Sequence, residues 1–304
     1  MTSEATARPA QSKPRGGLAG SLLRAMRPRQ WVKNLLVLAA PVLASRIGEG
    51  EVLARSALAI VVFCLAASGI YLVNDVVDVA ADRAHPRKRF RPIAAGLVPV
   101  RTAVAAAGVL LVLALVLSPL ASWHLAAVIA TYEAASLAYC LALKHEPVID
   151  IAIIASGFLL RAVAGGAASE IRLSQWFLLA ASFGSLFMAA GKRYAEVVAA
   201  EPDGAVTRRS LTRYTPTYLR FVWSVSAAIL IMTYALWSFQ IQHSNDTPWA
   251  PISMAPFVLA VLRYAVDVDA GRAGEPEEIA LSDHVLQALA VGWLGCLLIA
   301  VYAT

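Results

Sequence analysis

Charge is what this chain has least of. Only 15% of its 304 residues are Asp, Glu, Lys or Arg, against about a quarter in an ordinary soluble domain. Together with 59% hydrophobic residues and a mean hydropathy of +0.65, that shortage excludes one or two water-soluble domains. Cysteine is also scarce. Cys64, Cys140 and Cys296 all fall in apolar stretches without metal-ligand spacing, so they are expected as small buried side chains. The chain has no short-period repeat and no soluble domain. No cleavable signal peptide is expected, because the N-terminus stays polar and basic through Arg29 and no small-residue cleavage site follows a short apolar core. No histidine is paired with a carboxylate in a spacing that would activate a nucleophile.

What is present is apolar helix. A membrane-spanning helix needs roughly 20 apolar residues, and nine segments qualify as candidates: about 34–48, 52–73, 100–118, 122–143, 148–168, 174–191, 217–240, 250–266 and 283–303. The first is short and carries Pro41, which predicts a kink or tilt. The fold expected is therefore all-α and polytopic. The first 20 residues, rich in Ala, Ser, Pro, Lys and Arg, are expected to form a disordered basic tail, with 21–304 as one intramembrane domain.

The cations orient it. With a cytoplasmic N-terminus and nine crossings, 22 of the 26 Lys and Arg fall on the cytoplasmic side. Only Arg46, Arg55 and Arg172 fall outside, and Arg161 lies within a helix. This positive-inside bias predicts a multi-pass protein of the plasma (inner) membrane whose polar site faces the cytoplasm.

That site is written at the end of the second span, in NDVVDVAADRAHPRKRFRPIAAG, residues 74–96. Spacings of three and four put Asn74, Asp75, Asp78 and Asp82 on one helical face. Like charges so close repel, more so near a membrane, so a cation must share the site. A solvated helix end paired with Arg83, Arg87 and Lys88 would account for one or two of these aspartates, not for the whole stripe. Carboxylates and an amide favour a hard ion, and Mg2+ combines one or two carboxylates with substrate phosphates. Asn74, Asp75, Asp78 and Asp82 are the candidate metal ligands.

The pattern Asn74-Asp75-x-x-Asp78-x-x-x-Asp82, then Arg91-Pro92-Ile93 and Gly96, resembles the first aspartate-rich motif of the UbiA-type intramembrane prenyltransferase superfamily. The resemblance implies nine transmembrane helices around a polar cavity open to the cytoplasm, with Mg2+ held on the diphosphate of a donor. Where aromatic prenyltransferases carry a second motif of the form D-x-x-x-D, this chain keeps only Asp150; position 154 is Ile. By contrast, Arg27-Pro28-x-Gln30-Trp31-x-Lys33-Asn34, His85-Pro86-x-Lys88-x-x-Arg91, Gly157-Phe-Leu-Leu-Arg161 and Gly191-Lys192-Arg193-x-x-Glu196 are similar to one branch, the decaprenyl-phosphate phosphoribosyltransferases of cell-wall arabinan precursor synthesis. That likeness implies phosphoribosyl pyrophosphate as donor and a polyprenyl phosphate as acceptor. The phosphate loop of soluble phosphoribosyltransferases is absent: the stretch around Asp75 lacks the glycines and continues a helix.

The donor's diphosphate and 5-phosphate, together with the phosphate of the lipid, call for many cations. The expected rim offers Lys33, His85, Arg87, Lys88, Arg89, Arg91, Lys144, Lys192 and Arg193. Some would only set topology or meet anionic headgroups, which is the reading for Arg8, Lys13, Arg15, Arg208 and Arg209. The expected catalytic set is Asp75, Asp78, Asp82, Lys88, Arg91, Tyr139, Lys144 and Asp150. Substrate contacts are expected from Lys33, Asn74, His85, Lys88, Arg91, Tyr139, Lys144, Arg161, Lys192 and Arg193. Tyr139 and Asp150 would fix the ribose, although Asp150 also suits a helix start after Glu146-Pro147. Arg161 is near mid-membrane, with Glu133 as candidate partner. No nucleic-acid partner is expected, and a homo-oligomer is left open. Rival readings are an aromatic or quinone-pathway prenyltransferase and a membrane transporter; carriers place their polar site near the midplane, not at one rim.

Overall fold

A computed structural model describes residues 17–86, 88–200, 213–245, 247–274 and 276–302. The described residues are helical throughout, with no strand. The expected tail lies outside them through residue 16, as do Arg8, Lys13, Arg15, Arg87, Arg208 and Arg209. The tail's last residues are already helical, in α1 (Leu18–Ala25).

Among the described residues, seven helices are long and apolar enough to cross a membrane. They are α3 (Gly50–Val77), α5 (Val100–Leu117, prolonged to Leu120), α6 (Trp123–Leu141), α7 (Ile149–Ser169), α9 (Pro216–Asn245, apolar through His243), the pair α10 (Trp249–Ile252) and α11 (Met254–Asp269), and α13 (His284–Tyr302). This measure does not confirm the expected nine, and the two candidate segments it leaves out are instructive. The candidate span 34–48 is not one helix but a 3-10 stretch, Pro28–Leu38, followed by the short α2 (Ala39–Leu43). A 3-10 run this long is uncommon. Tertiary contacts hold it: Trp31 Nε1 donates to Ser68 Oγ at 3.1 Å, and Asn34 Nδ2 reaches Cys64 Sγ at 3.1 Å. The candidate span 174–191 lies within α8 (Gln175–Ala200), a long helix whose last two turns carry Lys192, Arg193 and Glu196.

Lipid supplies no hydrophobic drive between helices, so close packing needs small residues. Ala59, Ala66, Ala67 and Gly69 of α3 and Ala103, Ala107 and Ala114 of α5 are of this kind. The other side of α5 presents Val104, Val109, Val112 and Val116, all more than half exposed, as a lipid-facing surface must. The tightest approach is at Gly165 of α7. A Cβ there would sit 1.8 Å from the Val37 carbonyl oxygen, so only glycine lets the 3-10 segment lie against α7.

Helix α7 joins two apolar clusters. Its Ala164 and Ala168 pack with Phe63, Leu125, Ile129 and Val37; its Ile151 and Ala155 pack with Phe187, Tyr194, Leu219 and Val268. Helix α13 also meets α2 and the turn after it: Ser45 Oγ donates to the Val301 carbonyl and Tyr302 Oη to the Val42 carbonyl, both at 3.0 Å. The C-terminal ends of α3, α6 and α8 and the start of α7 are grouped together, and the charged residues gather there.

Candidate active site

The aspartate segment is not one continuous helix. Helix α3 ends at Val77, Asp78 adopts φ −88° and ψ 4°, and α4 (Val79–Ala84) follows. Backbone bonds from Asp78 N to Asn74 O (2.9 Å) and from Asp82 N to Asp78 O (2.8 Å) carry the path across the break. Asp75 and Asp82, seven residues apart, therefore still face the same guanidinium. Arg91 Nη1 lies 3.2 Å from Asp75 Oδ1 and 2.8 Å from Asp82 Oδ2. Both carboxylates are buried.

Local chemistry delivers Arg91. The stretch after Pro92 folds into a turn in which the Leu97 and Val98 amides return to the Pro92 carbonyl, at 2.9 and 3.2 Å. Gly96 closes it at φ +74°, a conformation glycine adopts without cost. Ile93, 1% exposed, nails the turn into the apolar cluster around Leu72 and Ala103. Thus Arg91-Pro92-Ile93 and Gly96 form one device: two residues build the corner, one anchors it and one carries the charge. His85 works locally, its Nδ1 accepting the Lys88 amide at 3.3 Å. Lys88, in the 3-10 turn Lys88–Phe90, is half-buried beside it.

The remaining cations come from other elements. Arg27, in the left-handed region at φ 56° and ψ 62°, places Nη2 2.5 Å from Asp75 Oδ1 and stacks over Tyr71. Lys144, in the 3-10 turn Leu143–His145 after α6, forms an ion pair with Asp78. Each aspartate of the motif is thus matched by a protein cation. The expected clamp in which three carboxylates and Asn74 converge is not preassembled. Asp78 turns to Lys144, and Asn74 Oδ1 faces the Cys140 thiol at 3.8 Å. Among the described residues no cluster of three His, Cys, Asp or Glu could hold a metal alone. The donor chemistry still fits Mg2+: Asp75 and Asp82 already share one cationic nitrogen, and a hard ion bound by few carboxylates completes its shell with substrate phosphate and water.

A second polar cluster lies beside the first. Arg193 of α8, 1% exposed, places Nε 2.8 Å from Asp150 Oδ2 as an ion pair whose N–H is not aimed for a hydrogen bond. It also donates Nη2 to Tyr139 Oη at 2.7 Å and pairs with Glu196. Tyr214, just before α9, donates to Asp150 Oδ1 at 2.5 Å and accepts the Val148 amide at 2.5 Å. Burial first, and then the bond to Asp150, push its phenol above the ordinary tyrosine range, so it stays a donor. Asp150 is 0% exposed with both oxygens engaged. These protein partners lend the expected ribose contact no support, and the helix cap is Val148 rather than Asp150. Its neighbour Tyr139 is only half-buried.

Arg161 is corrected too. It does not meet Glu133, whose Oε1 is buried without a hydrogen-bond partner. Its guanidinium donates to Asn34 Oδ1 (2.7 Å), the Gly157 carbonyl (2.5 Å) and Tyr132 Oη (3.1 Å), and lies against the Phe63 and Tyr132 rings. All these partners are neutral, and they tie α7 to the 3-10 segment and α6. Arg161 is 6% exposed, and none of these partners is an aspartate. Lys33 lies 5.7 Å over the Phe158 ring on the neighbouring face of α7, and Lys192 is half-buried next to Arg193. Arg27 and Tyr214, the two groups given no site role by the sequence, differ in legibility. Arg27 stood inside a quoted motif; Tyr214 had no signal.

Comparison with known proteins identifies the family and the fold. The model of the UbiA prenyltransferase family matches residues 35–282. A protein of Mycolicibacterium smegmatis named decaprenyl-phosphate phosphoribosyltransferase is 54% identical over 310 residues, covering 97% of this chain and 96% of its own. One of the same name from Corynebacterium glutamicum is 56% identical over 296 residues, covering 95% and 89%. Among solved structures, a UbiA homolog from Archaeoglobus fulgidus bound to GPP and Mg2+ superposes with a TM-score of 0.71 at 16% identity, over 93% of this chain and 100% of that one.

Proposed function

The chain belongs to the UbiA prenyltransferase family, and from that premise we propose that it transfers 5-phosphoribose from phosphoribosyl pyrophosphate to a polyprenyl phosphate, decaprenyl phosphate in the first instance, releasing diphosphate. The observation that carries the reading is identity above 50%, over nearly the full length, to relatives named for that reaction. The rim chemistry supports it, because acids and bases from several elements interleave there. In this reading residues 21–304 form one transferase unit in the plasma membrane, its site faces the cytoplasm, and its product feeds arabinan assembly in the cell wall.

The reaction forms a bond from a lipid phosphate oxygen to the ribose anomeric carbon and breaks the bond from that carbon to the diphosphate. The attacking phosphate is already an anion at neutral pH, so no general base is needed. Positioning and charge neutralisation carry the catalysis. Asp75, Asp78 and Asp82 would hold Mg2+, which when bound neutralises the leaving diphosphate. Lys88, Arg91, Lys144 and Lys192 would take the phosphates, with Lys33 and His85 at the margin. Tyr139 is left to face the ribose, held by Arg193.

The test is diphosphate release from phosphoribosyl pyrophosphate by purified protein, with and without polyprenyl phosphate. Release that requires the lipid and yields a lipid-linked phosphoribose is expected. Transfer of a prenyl group to 4-hydroxybenzoate instead would favour the aromatic prenyltransferase reading.

A further inference from the structure

Val148 adopts φ +68° and ψ −48°, a corner of conformational space used by rare, strained γ-turns and a genuine outlier for a β-branched residue. It is 54% exposed, so apolar packing does not hold it there. Its amide does have a partner, Tyr214 Oη at 2.5 Å, and the same hydroxyl donates to Asp150 Oδ1 two residues further on. One oxygen thus fastens the end of the turn that leads from Lys144 into α7. Tyr214 is itself fixed, 6% exposed and stacked on Tyr218 at 5.9 Å and 11°. Arg213 reaches Glu146 of the same turn at 3.9 Å, but both side chains are largely exposed and add little.

Backbone strain of this sort persists only where the surroundings over-determine it. Here it sits between two functional groups. Lys144, four residues before Val148, pairs with Asp78 of the aspartate segment. Asp150, two residues after, pairs with Arg193, which holds Tyr139. Release of the turn would loosen both together.

We propose that Tyr214 is a positioning residue: its hydroxyl clamps the strained 143–150 turn, and so sets Lys144 against Asp78 and Tyr139 against the sugar-bearing donor. The consequence for catalysis rests on the reading of function above; the clamp itself does not.

Two measurements on the full-length protein decide it. The first is amide exchange. Tyr214→Phe keeps the ring and its stack but loses the oxygen. Exchange over residues 143–150 should accelerate at least tenfold, with α5 unchanged; unaltered exchange in the turn overturns the clamp. The second is kinetic. Tyr214→Phe should lower kcat/KM for phosphoribosyl pyrophosphate about tenfold. Adding Val148→Gly should recover at least threefold, because glycine holds the positive φ without help. Loss without recovery makes Tyr214 a general packing residue and overturns the proposal. If Tyr214→Phe does not accumulate, restoration of accumulation by Val148→Gly supports the clamp, and failure in both backgrounds overturns it. A wild-type protein that transfers no phosphoribose defeats the functional reading, while the exchange result still decides the clamp.

Discussion

Lys144 and Asp78 lie 66 residues apart in the chain and meet as an ion pair at the basic end of the bundle. Lys144 is 7% exposed and Asp78 19%, so neither charge is well hydrated. Loss of one leaves the other in a partly dry site, at a cost of about 1.5–3 kcal/mol for a charged hydrogen bond. Lys144→Ala and Asp78→Ala should each lower kcat/KM roughly 10- to 200-fold. Arg46→Ala, which removes only an exposed pair with Glu49, should stay near wild type. Diphosphate release at matched membrane abundance checks this, and equal losses in all three variants would remove Lys144 and Asp78 from the site.

Metal removal is the second expectation. Excess chelator should reduce turnover to background, and Mg2+ should restore it. Asp82→Ala should abolish turnover in either condition, because its carboxylate is one of the two held by Arg91. Full activity in chelator would detach the aspartates from any metal.

Arg161→Lys tests whether that residue is structural. Three neutral acceptors on three elements are met by one planar fork, which an ammonium cannot reproduce. The variant should melt several degrees lower while its activity per folded molecule stays within about threefold. A large fall in activity at an unchanged melting temperature would return Arg161 to the substrate-binding set read from the sequence.

Gly165→Ala should be more damaging than its single methyl suggests. The added carbon would lie 1.8 Å from the Val37 carbonyl oxygen, and backbone on both sides must give way. Overpacking of this kind costs about 1–3 kcal/mol or more. Detergent-solubilised protein should show a lower Tm, whereas Gly108→Ala, with nothing within 4 Å, should not. An unchanged Tm for Gly165→Ala would mean that the close contact is absent.

Hydropathy made the long helices legible, because an apolar run needs no partner to be recognised. The aspartate segment was legible for a related reason: spacings of three and four bring carboxylates together whatever else the chain does, and Asp75 and Asp82 do share Arg91. What the sequence withheld depends on distant partners. Nothing local in 34–48 announces a 3-10 run, which Trp31, Asn34 and the gap at Gly165 impose. Asp150 reads as a ligand, and nothing near it in the chain announces that Tyr214 donates to one of its oxygens and Arg193 lies beside the other. Tyr214 follows no motif, and its role arises only where α9 begins beside the start of α7.

Arg91 holds two carboxylates with a single nitrogen, and that arrangement makes the rim a balance. If the guanidinium turns to a phosphate, Asp82 loses its pairing with Arg91 and Asp75 keeps only Arg27, so the two carboxylates demand another cation. If the carboxylates engage a cation of their own, Arg91 is freed for an anion. Neither exchange is favourable alone, and each supplies what the other lacks. Linkage is reciprocal, so a divalent ion and a polyphosphate should raise each other's affinity for this rim by the same factor, and Arg91→Ala should uncouple them.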